Sequence, residues 1–533
     1  MNLPFLQTDD FKVLTKDPTV EFNKAARTLV CNGKVIYNPH MSFKLIEMNP
    51  RPPLFYGQVK LHKPNHPIRP VVSFCNSPSY KLANHLNNVF KEKANFTPKF
   101  TIKNSLELVE KLKDVKIPNK GKFFSFDVSS LFSNIPVNES LNIAHSILIK
   151  QKIDIPIVNE IMDGLKLCTS QNYFKFNDII YSQIDGLAMG SPLSPILADL
   201  FMDYIEHLLF NSKNPLLTNI LYWYRYVDDV LGVWTGSERQ LLLFHKYINS
   251  LHPKIKFTLE LENNDSINFL DLTISKENNL HKFKVFRKPT YSDAIIPIDS
   301  NHSWGHKLAA FHSMFYRLFH VPMSTEDYNN ELNCIFQIGL NNGYNQQFLS
   351  NLYGKKRHQH LLKIFYSVQD TNKSNKYAKI SYFDKISPLI TKELKLLNIT
   401  PAFYTENTLG KMLFNIKDKT KKCDKSGIYK LFCNDCDACY IGQTGRSFKT
   451  RLSEHLASWR NRNLERSNFS DHLLIENHSF NPDSNVQLLH FQPKSKKLNT
   501  LENYYIQKSL SNNENLVNLI LTQQNSPLFL NLV

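Results

Sequence analysis

The sequence predicts an α+β chain of several units: a split βαβ arrangement in its first half, a mostly helical block after it, and a small α/β unit near the C-terminus. Its 533 residues, 42% of them hydrophobic, exceed what one core accommodates. Two apolar segments that carry acids, 123–128 and 221–234, have the β-branched and aromatic composition of strands, with helical spacing between them. Four of the eight cysteines, Cys423, Cys433, Cys436 and Cys439, crowd into one stretch near the C-terminus. Residues 1–6 lack the charged-then-apolar pattern of a secretory leader, and no apolar run approaches the ~20 residues of a membrane span. An intracellular chain is expected, and there crowded cysteines favour a metal over disulfides.

In chain order, residues 8–48 carry helical spacing, as in Phe11, Val13 and Leu14 and then Phe22, Ala25, Ala26, Leu29 and Val30. Residues 54–73 read as two short strands joined by a Pro/Asn/His turn, a flap bearing Lys60, Lys63 and Arg69. Helices at 79–95 and 103–114 lead to the strand that ends at Asp127. The loop 186–195 opens a helix whose residues 197, 200, 201, 204, 205, 208 and 209 make one apolar face. Gly186 and Gly190 in that loop allow the backbone to come close to a nucleotide or template base. A strand, a turn and a strand around Asp228 and Asp229 follow, then a helix at 237–251 and strands at 257–261 and 268–274. Polar, Lys-rich residues 371–376 and 417–425 are expected to be flexible joints.

The acids carry the chemistry. Adjacent carboxylates at the tip of an apolar hairpin repel each other and lose solvation, unless a cation lies between them. An isolated Asp-Asp turn reads most simply as exposed, but Asp127 ends a second apolar strand in the same half of the chain. Two strands that bring these acids to one sheet edge can hold two Mg²⁺ ions for nucleotidyl transfer. The formal charge of +17, with 37 Phe and 23 Tyr, fits a polyanionic partner with bases to stack.

Tyr-Val-Asp-Asp at 226–229, Phe-Asp-Val-Ser-Ser-Leu-Phe at 126–132 and Gly-Leu-Ala-Met-Gly-Ser-Pro-Leu-Ser-Pro at 186–195 resemble three successive palm motifs of reverse transcriptases, in the wording of Penelope-like retroelements. The resemblance implies a right-hand polymerase with fingers and palm over 1–275 and a helical, template-primer-binding thumb over 276–400. Asp127, Asp228 and Asp229 would be its catalytic Mg²⁺ (or Mn²⁺) ligands. Lys60, Lys63 and Arg69 would grip the incoming triphosphate, although any one lysine alone reads as solvated surface charge. Phe132 would abut the 2′ position of the incoming sugar, and Gly190 would lie in the nucleotide site. Relatives carry a further N-terminal region with a Lys-Asp-Lys-Gly-Gly-like stretch before the equivalent of Phe11, which does not occur here; processive synthesis, more than catalytic-site chemistry, is expected to depend on it.

Gly427-Ile428-Tyr429 and Tyr440-Ile441-Gly442, followed by Gln443-Thr444-Gly445-Arg446 and Arg451-Leu452-Ser453-Glu454-His455, resemble the signature of GIY-YIG nucleases. This resemblance places an endonuclease over 425–533, after a basic linker at 401–424. It implies that Tyr429 or Tyr440 helps activate water, that Arg451 neutralises phosphate charge, and that Glu502 holds one Mg²⁺, with Arg446 and His455 in support. Cys433-x2-Cys436 has zinc-ligand spacing, but His472 and His478 lie far from it in sequence, so spacing alone leaves the site open. Penelope-like proteins carry a Cys-Cys-His-His cluster within the nuclease, which implies a structural Zn²⁺ on Cys433, Cys436, His472 and His478. Cys439 is placed to substitute for a ligand, and Cys423 is expected to be free.

The expected protein nicks target DNA and copies element RNA from the resulting 3′-hydroxyl, with an RNA template, a DNA primer, dNTPs and the nucleus as its setting. No membrane partner is expected, and the oligomeric state is not legible. The rival reading is a decayed element that only binds nucleic acid.

Overall fold

A computed structural model describes residues 10–37, 39–61, 66–366, 376–405, 413 and 417–519. The chain opens with strand β1 (Phe11–Leu14) and helices α1 (Thr19–Asn32) and α2 (Pro39–Leu45). Strands β2 (Leu54–Val59) and β3 (Ile68–Ser73) form an antiparallel hairpin in which Gln58 faces Arg69. The 11–14 segment, expected to be helical, is a strand because it supplies the missing edge partner of a later strand, Val13 opposite Tyr181.

Helices α3 (Tyr80–Ala94) and α4 (Ser105–Leu112) follow, the latter capped by Asn104, whose side chain accepts from the Glu107 N–H at 2.9 Å. Strand β4 (Lys122–Val128) leads through α5 (Leu131–Asn134), α6 (Val137–Lys150) and α7 (Ile155–Ser170) to β5 (Tyr173–Phe176) and β6 (Ile179–Gln183). Helix α8 (Ser194–Phe210) has Pro195 in its first turn, where the missing N–H costs nothing. Strands β7 (Ile220–Tyr226) and β8 (Asp229–Trp234), the Ser237/Gln240-capped helix α9 (Glu238–Ile248) and β9 (Phe257–Leu261) complete this half.

Two sheets organise it. The first, in the order β1-β6-β5-β2-β3, carries the hairpin; the second, in the order β7-β8-β4-β9, is antiparallel throughout and is the split βαβ palm. Alternation sets its two faces. Phe124 and Phe126 point to the helices, with the Phe126 ring 5.8 Å from Trp223 and 5.9 Å from Phe257, whereas Phe123 and Leu231 join a separate core beneath. Phe126 is fully buried, and Phe126→Ala would cost about 3–5 kcal/mol.

Strands β10 (Ser266–Phe269), β11 (Leu272–Glu277) and β12 (Leu280–Val285) form a three-stranded meander. The expected single strand at 268–274 is thus a hairpin, because Leu270 takes a positive φ of 56° and turns the chain. Helices α10 (Trp304–His320), α11 (Thr325–Asn341) and α12 (Gln346–Tyr366) pack around Phe311, Phe315, Ile335 and Leu349. The block is not helical to residue 400: β13 (Lys376–Ser381) pairs in parallel with β14 (Ile399–Tyr404) across α13 (Ser387–Leu396). Residues 401–404, expected in the linker, belong to β14.

Residues 417–424, expected to be a joint, pack on the fingers through polar contacts. Lys417 sits 4.9 Å over the Tyr56 ring, Thr420 accepts from Arg51 at 3.3 Å, and the Asp424 carbonyl accepts from Asn49 at 2.9 Å. Of the expected joint at 371–376, residues 371–375 lie outside the described residues, as does Lys63 of the flap, and Lys376 begins β13. The C-terminal unit has the sheet order β16-β15-β17, from β15 (Gly427–Phe432), β16 (Cys439–Thr444) and β17 (Val486–Phe491). Helices α14 (Phe448–Arg460), α15 (Asn468–Ile475) and α16 (Lys496–Ser511) surround it. Among the described residues, no helix is long and apolar enough to cross a membrane.

Candidate catalytic centres and metal site

The antiparallel register of β4 and β8 places Asp127 directly opposite Asp229. Asp228 is in the turn between β7 and β8, and its carbonyl accepts from the Val128 N–H at 3.0 Å. All three aspartates are half-buried. They therefore sit together at one end of the palm sheet, as the two-strand reading requires. The turn itself is unusual. Val227 adopts a φ of +54°, a conformation disfavoured for a β-branched residue, which persists only where the surroundings enforce it.

Arg225 enforces it. Its side chain is fully buried, and its Nη1 donates to the Val227 carbonyl and to Asp199, both at 3.2 Å. Its Nε and Nη2 donate to Glu206 at 2.9 and 3.2 Å, and Glu206 also accepts from the Trp223 indole at 2.9 Å. Burial alone would lower the Arg225 pKa, but Glu206 and Asp199 outweigh it and hold the guanidinium charged. Sequence reasoning assigned these residues no role. The available signal was a charged residue inside the aromatic run of β7, matched by an acid on an otherwise apolar helix.

The residues expected to contact the nucleotide lie on or next to other elements, β2, β3, α5 and the loop before α8. Arg69 is exposed on β3, and Lys60 lies just beyond β2, its N–H donating to the Pro67 carbonyl at 2.9 Å. Phe132 is half-buried on α5 against the palm core, its carbonyl accepting from the Leu187 N–H at 2.7 Å. Gly190 has a φ of 123°, and a Cβ there would lie 2.1 Å from the Val72 carbonyl oxygen. The close approach that it permits is thus to β3 of the chain itself, where the Val72 N–H donates to Met189 at 2.8 Å and joins the hairpin to the palm loop.

In the C-terminal sheet Tyr429 faces Gly442. A Cβ at Gly442 would lie 2.5 Å from the Tyr429 hydroxyl, so the glycine makes room for the phenol. That hydroxyl is 2.7 Å from His455 Nε2 and accepts from Arg451 Nε at 3.2 Å. The Tyr440 ring lies beside this pair, its centre 6.3 Å from that of Tyr429 and 5.6 Å from that of His455. Burial, then the neighbouring Tyr440, pushes the Tyr429 hydroxyl above the usual tyrosine range, against the pull of Arg451. Burial, then the Arg451 charge, drives His455 down to about 3. His455 is therefore neutral, with its Nδ1 2.6 Å from Ser467 Oγ.

Glu454 aligns the cations: it accepts from Arg451 at 3.0 Å and from Arg446 at 2.8 Å. Glu502 on α16 accepts from Gln443 at 2.7 Å, and burial raises its pKa. Gln443 follows Gly442 on β16, so this contact brings Glu502 to the strand that faces Tyr429. A partly buried carboxylate of this kind suits a magnesium ion that keeps most of its waters. Gln443 and Glu454 were visible in the motif, but their partners were not.

Cys433, Cys436, His472 and His478 converge, with ligand atoms within 4.8 Å of one another. Cys433 Sγ lies 3.4 Å from His478 Nδ1, Cys436 Sγ 3.4 Å from His472 Nε2, and the two imidazole nitrogens 3.4 Å apart. Bonds of about 2.0–2.3 Å to N and S give tetrahedron edges of about 3.3–3.8 Å, so these atoms are spaced as ligands of one ion. The long sequence gap is closed by α15 returning His472 to the β15–β16 turn. Cys439 is not in this group: it is buried at the start of β16, its N–H donating to Asn515 at 2.8 Å.

Comparison with known proteins gives three family matches. Residues 61–262 match the family "Reverse transcriptase (RNA-dependent DNA polymerase)", residues 294–353 the "Animal helix-turn-helix domain", and residues 425–515 the "GIY-YIG catalytic domain". The middle match covers α10, α11 and the start of α12. No curated protein matches the chain. Among solved structures, telomerase from Candida albicans in complex with a fragment of telomeric RNA is 12% identical, over 67% of this chain and 69% of that one, with a TM-score of 0.34. Apo telomerase from Candida tropicalis, truncated from its C-terminal domain, is 13% identical over 49% and 60%, with a TM-score of 0.32. The BmCPV RNA-dependent RNA polymerase at its quiescent state is 12% identical over 52% and 28%, with a TM-score of 0.33.

Proposed function

We propose that this chain, which carries a reverse transcriptase domain followed by a GIY-YIG nuclease domain, is the replication protein of a Penelope-like retroelement. The observation that supports the reading is that one polypeptide gathers Asp127, Asp228 and Asp229 at one end of its palm sheet and Tyr429, His455 and Arg451 in its C-terminal unit. In the nuclease, Arg451 stabilises charge on the scissile phosphate and Glu502 holds a divalent ion. Tyr429 and Tyr440 orient the attacking water, and neutral His455, 2.7 Å from the Tyr429 hydroxyl, holds that hydroxyl in place. The resulting 3′-hydroxyl is the primer.

In the palm, Asp127, Asp228 and Asp229 hold two Mg²⁺ (or Mn²⁺) ions. Divalent ions bound there lower the pKa of the attacking 3′-hydroxyl and neutralise the triphosphate and leaving pyrophosphate. Arg69 and Lys60 meet the dNTP from the fingers, and Phe132 excludes a ribose. Zinc on Cys433, Cys436, His472 and His478 braces the nuclease. The RNA template, target DNA and dNTPs are the partners, and the nucleus is the compartment that the substrate demands.

A coupled assay tests this: supercoiled plasmid, RNA template, dNTPs and Mg²⁺ with the full chain. The expected product is complementary DNA covalently joined to nicked plasmid. Asp228→Ala would leave nicks without extension, and Arg451→Ala would leave neither unless the plasmid is nicked beforehand. Nucleic-acid binding with no nicking and no synthesis by folded protein would overturn the reading in favour of a decayed element.

A further inference from the structure

The helical block is electrically two-sided. Helix α11 carries Glu326, Asp327 and Glu331 and no Lys or Arg. The last two face the β-meander: Asp327 pairs with Lys284 at 2.8 Å, and Glu331 takes both ends of the Arg287 guanidinium at 2.6 Å. Helices α10 and α12 contain no Asp or Glu; Arg317 of α10 pairs with Asp271 at 2.8 Å, and Lys307, Lys355, Lys356 and Arg357 add four further cations. The side of the block built by these two helices is therefore basic.

Between them is a cavity of about 460 Å³. Its wall is a run of rings: Tyr316 lies over His320 with centres 4.0 Å apart, His320 meets His360 at 4.7 Å, and His360 stacks on Phe319 at 5.2 Å. His312, Phe315, Lys356 and Gln359 complete the lining. Tyr316 is 54% exposed, whereas its neighbour Phe315 on the same helix is buried in the core of the block. Burial and the Lys356 charge lower the His312 pKa, and burial and His320 lower that of His360, so both imidazoles present a donor and an acceptor at neutral pH.

This lining selects among occupants by its chemistry. A purely apolar ligand would leave Lys356 and the imidazole nitrogens without purpose. A nucleic-acid duplex offers phosphates to the basic face but hides its base faces within the stack. An unpaired strand offers both: a π-face for Tyr316, polar base edges for the histidines, and a phosphate for Lys356. We propose that this cavity binds an unpaired nucleobase of single-stranded RNA or DNA, stacked on Tyr316, with Lys356 on an adjacent phosphate. The site holds a strand outside the catalytic centres, and it requires neither polymerase nor nuclease turnover.

The test is binding by the full chain to short single strands of RNA and of DNA, each made with normal nucleotides, with an abasic stretch, or with one 2-aminopurine. Expected are tighter binding of the base-bearing strands than the abasic ones and quenching of 2-aminopurine fluorescence. Tyr316→Ala would remove the quenching and weaken base-bearing strands by about 5- to 100-fold, the loss of one base–aromatic stack, without affecting abasic strands or a primer–template duplex. Lys356→Ala would weaken both kinds of single strand. Asp228→Ala would bind like the wild type, which separates this site from the polymerase reading. Equal binding of abasic and base-bearing strands, or undiminished quenching in a folded Tyr316→Ala protein, would overturn the proposal. The preferred sugar, ribose or deoxyribose, distinguishes a template strand from a DNA strand as the source of the base.

Discussion

Arg225→Met isolates what the buried guanidinium does for the turn that carries Asp228. The substitution keeps much of the aliphatic volume and removes hydrogen bonds to Glu206, Asp199 and the Val227 carbonyl. Glu206, buried at 1% exposure, would then keep only the Trp223 indole as partner in this network. Breaking a buried ion pair from one side costs about 3–5 kcal/mol. At roughly 2–4 °C per kcal/mol for a unit of this size, the unfolding midpoint should fall by about 6–20 °C. Replacing both partners, Arg225→Met with Glu206→Met, removes the stranded charge and should recover most of that loss. The Val227 carbonyl would remain unheld in the double variant, and the turn would relax from its positive φ. A displacement of the aspartates on the order of 1 Å costs about 100-fold in rate. Single-turnover primer extension should therefore show kcat reduced by about 100-fold in a stable double variant, with the KM for dNTP much less changed. A double variant that folds and polymerises at the wild-type rate would refute the claim that Arg225 positions the turn.

Other outcomes follow from the same geometry. Gly442→Ala brings a methyl within 2.5 Å of the Tyr429 hydroxyl, and nicking should fall by at least 10-fold while primer extension stays intact. Cys436→Ser should lower bound zinc, measured by mass spectrometry of the native protein, from one ion towards none, and should loosen the nuclease sheet by hydrogen exchange. His455 is neutral in the fold, with a pKa near 3 against the ordinary 6.5. The unfolded chain takes up the proton first, so stability is intact above pH 6.5 and is lost as pH falls from there towards 3, by up to about 1.4 kcal/mol per unit. His455→Asn should flatten that slope, as read by the pH dependence of exchange in β15.

The palm was legible because its signals are local. Strand composition, helical faces and turn residues between 120 and 261 each occur within a few residues of sequence, and the acids stood out against apolar neighbours. Failures fell where a distant partner decides. Phe11–Leu14 is a strand because β6 has an edge to fill, Leu270 turns the chain where alternation continued unbroken, and residues 417–424 rest on the fingers rather than spanning open solvent. The Cys-Cys-His-His cluster shows the same division from the other side. Its cysteine pair was readable from spacing, but its closure depended on α15 bringing His472 and His478 back to the β15–β16 turn.

Buried charge in this chain divides into two kinds, and the division explains why the clustered acids were legible and the residues packed behind them were not. Arg225 and Glu206 are of opposite sign and satisfy each other, so neither creates an excess that a reader of the sequence would notice. Asp127, Asp228 and Asp229 are of one sign, and gathering them at one end of a sheet is favourable only with a cation beside them. Like-charge clustering is therefore visible before folding is considered, whereas opposite-charge pairing is visible only after. The same rule separates Glu502 from Glu454. Glu454 neutralises Arg446 and Arg451 within the chain, and Glu502, raised by burial with only an amide from Gln443 as its described hydrogen-bond partner, is the acid whose charge a metal would complete. Adding Mg²⁺ should accordingly lower the apparent pKa of Glu502, followed by carboxylate infrared absorption against Glu502→Gln, and leave Glu454 unchanged.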